Sequence, residues 1–203
     1  MRQKLHKAVF LDRDGTTIVD TEFSADPKNL RLLPGAVEGL RRLQKAGCLL
    51  IIVTNQSGVA RGLFDERELR AFREHLKRRF RRRGIRIADI YYCPHHEDGQ
   101  VPQYSVKCDC RKPKPGMILR AAKEHGIDLK QSWMIGDQQR DIEAGIAAGC
   151  RTIRVGVAPG EAPGADFEAA DLRQAAGIIL RASRGERQRP AGRSNEPGKI
   201  GRR

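Results

Sequence analysis

An α/β fold, one parallel sheet with helices on both faces, is what this sequence predicts, and three observations predict it. Short apolar runs at 8–11, 48–53, 132–136 and 151–155 read as strands buried on both faces. Between them lie stretches whose apolar residues recur at helical spacing, so that strand and helix alternate along the chain. Several strands also break off into small polar or acidic groups, as strands do when their carboxyl ends border a ligand crevice.

The elements follow in order. The first run, Ala8-Val-Phe-Leu11, stops at Asp12 and Asp14, followed by Gly15 and Thr16. Most Asp-x-Asp pairs are solvated turn residues; a buried strand delivering the pair to a sheet edge makes these two candidates for chemistry. A polar stretch occupies 21–29, and Pro34-Gly35 leads into a helix carried by Val37, Leu40 and Leu43 and ended by Gly47. The strand at 48–53 runs out into Thr54-Asn-Gln-Ser-Gly58. Asp65, with Glu68 three residues on, forms a capping box for a helix over 66–83 whose stripe is Leu69, Phe72, Leu76 and Phe80. A third strand over 85–92 leads to Cys93.

Residues 94–115 show no regular pattern, and a segment of that length inside a domain needs something to hold it. A helix over 117–125 ends at Gly126, a strand at 132–136 ends at Asp137, and a short helix over 142–148 stops at Gly149. The strand at 151–155 and a last helix over 171–180 complete one domain spanning 1–181. Residues 182–203, rich in Arg, Gly, Pro and Ser, are expected to be a disordered basic tail.

At 203 residues the chain suits a single domain with a proper core. No apolar run reaches the length of a membrane span and no secretion signal precedes the first strand, so a cytoplasmic protein without membrane contact is expected. The formal net charge is +14, but aromatic residues make up only 5 % and much of the charge sits at the end of the 66–83 helix and in the tail. A basic chain without interleaved aromatics predicts no specific nucleic-acid partner, while its field favours a phosphorylated substrate.

In a parallel sheet the residues just past the strands converge: Asp12 and Asp14, Thr54 and Asn55, Asp137 with Asp141 a turn beyond. Clustered carboxylates repel in a low-dielectric crevice and call for a cation; hard oxygen ligands favour magnesium, completed by a substrate phosphate. That phosphate needs donors, and the candidates are the Thr54 hydroxyl, the Asn55, Gln56 and Ser57 loop with its backbone N–H groups, and Arg111 or Lys112. The assembly suits phosphoryl transfer, with Asp12 as nucleophile and Asp14 first protonating the leaving alkoxide, then activating water.

Three of the five cysteines cluster: Cys93-Pro-His95 and Cys108-Asp-Cys110 give a C-x-H and C-x-C arrangement, with His96 as the alternative imidazole. Three thiolates and one imidazole suit a closed tetrahedral zinc site, a structural one, which would tie down the irregular segment and position Arg111 and Lys112.

Asp12-Arg-Asp-Gly-Thr16, the Thr54-Asn strand end, Lys112 and Gly136-Asp-Gln-Gln-Arg-Asp141 resemble the four motifs of the haloacid dehalogenase (HAD) phosphatases. More closely, Phe10-Leu-Asp-Arg-Asp-Gly-Thr16, Val53-Thr-Asn-Gln-Ser-Gly-Val-Ala-Arg-Gly62, Tyr92-Cys-Pro-His-His96 and Cys108-Asp-Cys-Arg-Lys-Pro-Lys-Pro-Gly-Met117 are similar to the heptose 1,7-bisphosphate 7-phosphatases and the related histidinol-phosphate phosphatases. The resemblance implies a Rossmann-like HAD core without a large cap domain. It also implies a magnesium-dependent hydrolase of the heptose 7-phosphate, serving nucleotide-activated heptose and lipopolysaccharide precursors, with histidinol phosphate as the alternative substrate; a monomer is expected. It assigns Asp12 as nucleophile, Asp14 as acid/base, Thr54 and Lys112 as phosphoryl stabilisers and Arg111 as a substrate contact. Magnesium falls to Asp12, the Asp14 carbonyl and Asp137, and zinc to His95 rather than His96, with Cys93, Cys108 and Cys110. The chain departs from the family pattern at Gln138, where lysine is common, and in Thr17-Ile-Val-Asp-Thr-Glu-Phe23.

Overall fold

The computed structural model describes residues 5–156 and 164–185. Its strands are β1 (Ala8–Leu11), β2 (Leu49–Asn55), β3 (Ile87–Cys93), β4 (Trp133–Gly136), β5 (Arg151–Val155) and β6 (Phe167–Ala169). Its helices are α1 (Ala36–Lys45), α2 (Glu66–Arg81), α3 (Gly116–His125), α4 (Gln139–Ala148) and α5 (Leu172–Ser183). All strand pairs are parallel, in the order β3-β2-β1-β4-β5-β6.

The period-two alternation of a strand sorts the core into two layers. Val9 and Leu11 of β1, with Leu50 and Ile52 of β2, face one layer, where Leu40 and Leu43 of α1, Phe72, Leu76 and Phe80 of α2 and Ile179 of α5 pack. Ala8 and Phe10, with Ile51 and Val53, face the other, against Met117, Ile118 and Ala121 of α3 and Ala144 of α4. Both faces are thus covered, which is why these strands are continuously apolar.

The strand order reverses between β1 and β4, so the crevice of the sheet lies at the carboxyl ends of these strands, beside β2. Thr54 and Asn55 belong to β2 itself, paired with Tyr92 and Cys93 of β3, rather than lying beyond the strand. The α4 helix begins at Gln139, three residues before its apolar pattern, so Asp141 sits in the first turn. The predicted 66–83 helix ends at Arg81, and the Asp65–Glu68 capping box is formed at its start. Three-residue β6 has no sequence signal of its own, and it docks through Phe167, whose ring lies 5.7 Å from that of Trp133. The α5 helix runs through Ser183, past the expected boundary at 181, because Ala182 still packs on the core. The greater part of the expected tail, 186–203, lies outside the described residues. Among those described, no helix is long and apolar enough to cross a membrane.

Candidate active site

The strand β1 ends against β4, where the Asp12 N–H donates to the carbonyl of Ile135 at 2.9 Å. The side chain of Asp12 is buried, and its Oδ1 lies 2.7 Å from the Nζ of Lys112. The same Nζ lies 2.6 Å from Asp141 Oδ1 and donates to the Val53 carbonyl at 2.8 Å. The ammonium thereby donates to Asp12 and to the Val53 carbonyl, while Asp141 Oδ1 stands at ion-pair distance without a hydrogen bond of its own. Burial alone would push Lys112 towards neutrality, but the charges of Asp12 and Asp141 hold it above the usual lysine range. Desolvation raises Asp141 to about 6, with the Asp12 charge adding and Lys112 opposing.

Lys112 is aimed from its backbone. Asn55 accepts the Lys112 N–H on Oδ1 and donates Nδ2 to the Lys112 carbonyl, both at 3.0 Å. The side-chain amide expected to meet substrate is thus spent on positioning the lysine.

On the other side of Asp12 stands Asp14, 22 % exposed, bound by Arg13 at 2.9 Å and by the Gln56 amide at 3.0 Å. Gln56 also donates to Thr54 Oγ1 at 2.9 Å, and Arg13 is buried with its guanidinium 4.7 Å from the Phe72 ring centre. Burial raises the Asp14 carboxyl, Arg13 lowers it, the Asp12 charge raises it, and the net result lies above the ordinary aspartate value. A carboxyl that keeps its proton longer is what a general acid requires.

Asp137 follows β4. Its Oδ1 accepts from Thr16 Oγ1 at 3.0 Å and its Oδ2 from the Gln138 amide at 2.8 Å. Gly15, at φ +73°, lies so close that a Cβ there would strike the Asp137 carboxylate, and a Cβ on Gly136 would strike Asp141. One carboxylate oxygen each from Asp12, Asp137 and Asp141 falls within 4.8 Å of the others. Three acids so close, with one lysine among them, suit a hard divalent cation. Asp141 is engaged by Lys112 and, through Oδ2, by the Gln138 N–H at 3.0 Å, and it is fully buried, whereas Asp12 and Asp137 line the cavity.

These groups surround a cavity of about 160 Å³, walled by Asp12, Asp14, Thr54, Gln56, Lys112 and Asp137 among others. Five further wall residues, Arg13, Asp20, Glu22, Phe23 and Arg140, were given no role from the sequence. The departure from the family pattern over Thr17–Phe23 and an aromatic residue in the polar stretch 21–29 were the signals for Phe23, which is 51 % exposed. Ser57 is buried but not in the wall, and Arg111, also outside it, donates to the His95 carbonyl at 3.2 Å.

Beside this cavity the cysteine loop closes on itself. Cys108 Sγ lies 3.6 Å from Cys93 Sγ and 3.4 Å from Cys110 Sγ, while His95 Nδ1 lies 3.7 Å from Cys93 and 3.4 Å from Cys110. Disulfides need sulfurs about 2.05 Å apart, and these are free thiols. A tetrahedron built on Zn–S of about 2.3 Å and Zn–N of about 2.0 Å has edges of about 3.5–3.8 Å, close to those seen. Hydrogen bonding from Cys93, aided by His95 and Cys108 against the effect of burial, lowers Cys110 to about 5, so one thiolate is at hand for a metal. His96 points elsewhere, with Nε2 3.3 Å from Arg61.

A parallel sheet in this order, with an Asp-x-Asp at the end of β1, a threonine on β2, a buried lysine and an acid after β4, defines a HAD-type phosphatase. Comparison with known proteins agrees. A HAD-hydrolase-like family profile matches residues 109–178. A D-glycero-β-D-manno-heptose-1,7-bisphosphate 7-phosphatase from Yersinia pestis is 42 % identical over 163 residues, 80 % of this chain and 86 % of that one. The crystal structure of a HAD-like phosphatase from Mesorhizobium loti superposes with a TM-score of 0.81 at 32 % identity, covering 96 % of this chain and 91 % of the other. The D,D-heptose 1,7-bisphosphate phosphatase of B. bronchiseptica, complexed with magnesium and phosphate, gives a TM-score of 0.75 at 33 % identity, covering 87 % and 99 %. The chain belongs to the family of D-glycero-β-D-manno-heptose-1,7-bisphosphate 7-phosphatases, hydrolases of phosphate monoesters within the HAD superfamily.

Proposed function

We propose that this enzyme removes the 7-phosphate of D-glycero-β-D-manno-heptose 1,7-bisphosphate through an aspartyl phosphate on Asp12, on the route to nucleotide-activated heptose. One observation carries the reading: Asp12, Lys112 and Asp137, far apart in sequence, line one cavity of about 160 Å³, with Asp141 buried against Lys112. Histidinol phosphate is the less favoured substrate, since the relatives at about 40 % identity carry the heptose activity in their names.

Lys112 engages one oxygen of Asp12, and the carboxylate attacks phosphorus. The new O–P bond forms as the bond to the sugar oxygen breaks, and Asp14 gives that oxygen its proton. Asp14, now a carboxylate, takes a proton from water; the hydroxide displaces Asp12 from phosphorus and inorganic phosphate leaves. Thr54 and Lys112 donate to the phosphoryl oxygens, Gln56 keeps Thr54 and Asp14 in register, and Asn55 holds Lys112 from behind. Ser57 backs the loop, and Arg111 reaches substrate beyond the cavity mouth. Magnesium, held by Asp12, Asp137 and the Asp14 carbonyl, offsets the charge gathered there when bound. Zinc held by Cys93, His95, Cys108 and Cys110 fixes the segment that ends in Arg111 and Lys112. Every group needed comes from one chain, in keeping with a cytoplasmic monomer.

The test is steady-state phosphate release from the α and β anomers of heptose 1,7-bisphosphate beside histidinol phosphate. One phosphate per molecule, with the β anomer favoured, is expected; preference for histidinol phosphate would overturn the assignment. The Asp12→Asn protein should fold and retain zinc yet release no phosphate, and appreciable turnover would show that the nucleophile lies elsewhere.

A further inference from the structure

A cavity of about 160 Å³ admits the reacting phosphate but not the rest of a bisphosphorylated sugar, since pockets that enclose such ligands run to about 300–1,000 Å³. The remainder of the substrate, with its second phosphate, must cross the rim. The wall there is acidic, with Asp12, Asp14, Asp20, Glu22 and Asp137 against three cationic side chains, Arg13, Lys112 and Arg140. Two of those cations are already spent: Arg13 on Asp14, Lys112 on Asp12 and Asp141. Arg140 is exposed and, among the described residues, pairs with no carboxylate.

Folding does not ask for a cation at this position. Arg140 lies in the first turn of α4, where the helix dipole disfavours positive charge. Gln138, two residues earlier, is neutral and its amide is committed to Asp137. Arg111 and Arg61 turn to the other segment, Arg111 donating to the His95 carbonyl at 3.2 Å and Arg61 lying 3.3 Å from His96. An unpaired guanidinium in the wall that the substrate must cross is free to bind an anionic group.

We propose that Arg140 seats the second, non-reacting anionic group of the substrate at the cavity rim and so sets the preference for bisphosphates over monophosphates. The proposal rests on the reading of the site as a sugar-bisphosphate phosphatase, and the experiment separates the two. The quantity to measure is kcat/KM for heptose 1,7-bisphosphate divided by kcat/KM for heptose 7-phosphate. Arg140→Gln should lower this ratio about tenfold, equivalent to about 1.4 kcal/mol, through KM for the bisphosphate. Arg140→Glu should lower it further, and Arg140→Lys should recover part of it. An unchanged ratio in both the Gln and Glu variants, or an equal loss on both substrates, overturns the proposal. If the wild-type enzyme does not hydrolyse the heptose bisphosphate, the functional reading fails. Calorimetric Kd values for fructose 1,6-bisphosphate and fructose 6-phosphate on the Asp12→Asn protein, with and without Arg140→Gln, then decide the role of Arg140 by the same ratio.

Discussion

Asp141 shows how a residue can matter without meeting the substrate. Fully buried, it lies 2.6 Å from the Lys112 ammonium and shares that ammonium with Asp12. Replacing it with alanine leaves Lys112 with half its counter-charge, and breaking a buried pair costs about 3–5 kcal/mol. Asp141→Ala should therefore lower the unfolding free energy read from a urea titration by an amount of that order and lower kcat at least about tenfold; a variant with wild-type stability and kcat would remove Asp141 from the site. Asp14 makes a different prediction. Its carboxyl is held above the ordinary aspartate value, first by burial. The acid form persists as pH rises and is lost only through that raised value. For a sugar phosphate, whose alkoxide must be protonated on leaving, kcat should fall on the alkaline side of this point. For p-nitrophenyl phosphate, whose leaving group needs no proton, that limb should be absent, and identical limbs for the two substrates would argue against Asp14 as the acid.

At the scale of elements, the segment between β3 and α3 gathers Cys93, His95, Cys108 and Cys110 at one point and carries one short 3-10 turn, Pro102–Tyr104. Arg111 and Lys112 follow Cys110 directly, so a zinc ion held by that cluster would be coupled to the lysine beside Asp12. Stripping zinc with a chelator and then restoring magnesium alone should lower kcat and the thermal midpoint, and added zinc should return both. Full activity in protein shown by metal analysis to be zinc-free would refute the coupling. The strands and helices were legible in the sequence because burial on two faces writes a continuous apolar run and burial on one helix face writes a 3.6-residue period. The early start of α4 was not, since its first turn carries polar residues whose burial depends on Lys112 and Asp137. The β6 strand is too short to show a period at all.

For the molecule as a whole, the +14 charge asks to be explained. Residues 186–203 carry six Lys or Arg against two Glu. A chain ending at residue 185 should hydrolyse its substrate as the full chain does while eluting from heparin at lower salt. Loss of turnover on truncation would assign the tail a part in catalysis.

The sequence by itself determined the class of fold and pointed to Asp12, Asp14 and Asp137 at strand ends and to the grouping of Cys93, His95, Cys108 and Cys110, because each is written in local pattern: an apolar run that stops, or Cys and His at short spacing. Only the tertiary structure decided that Asn55 clamps a lysine 57 residues away, that Asp141 and Asp12 share that lysine, and that Arg140 stands without an acidic partner among the described residues at the rim. Those roles depend on which side chains meet across the sheet's carboxyl edge. That is set by strand order and by how two core layers pack, neither of which a short stretch of chain contains.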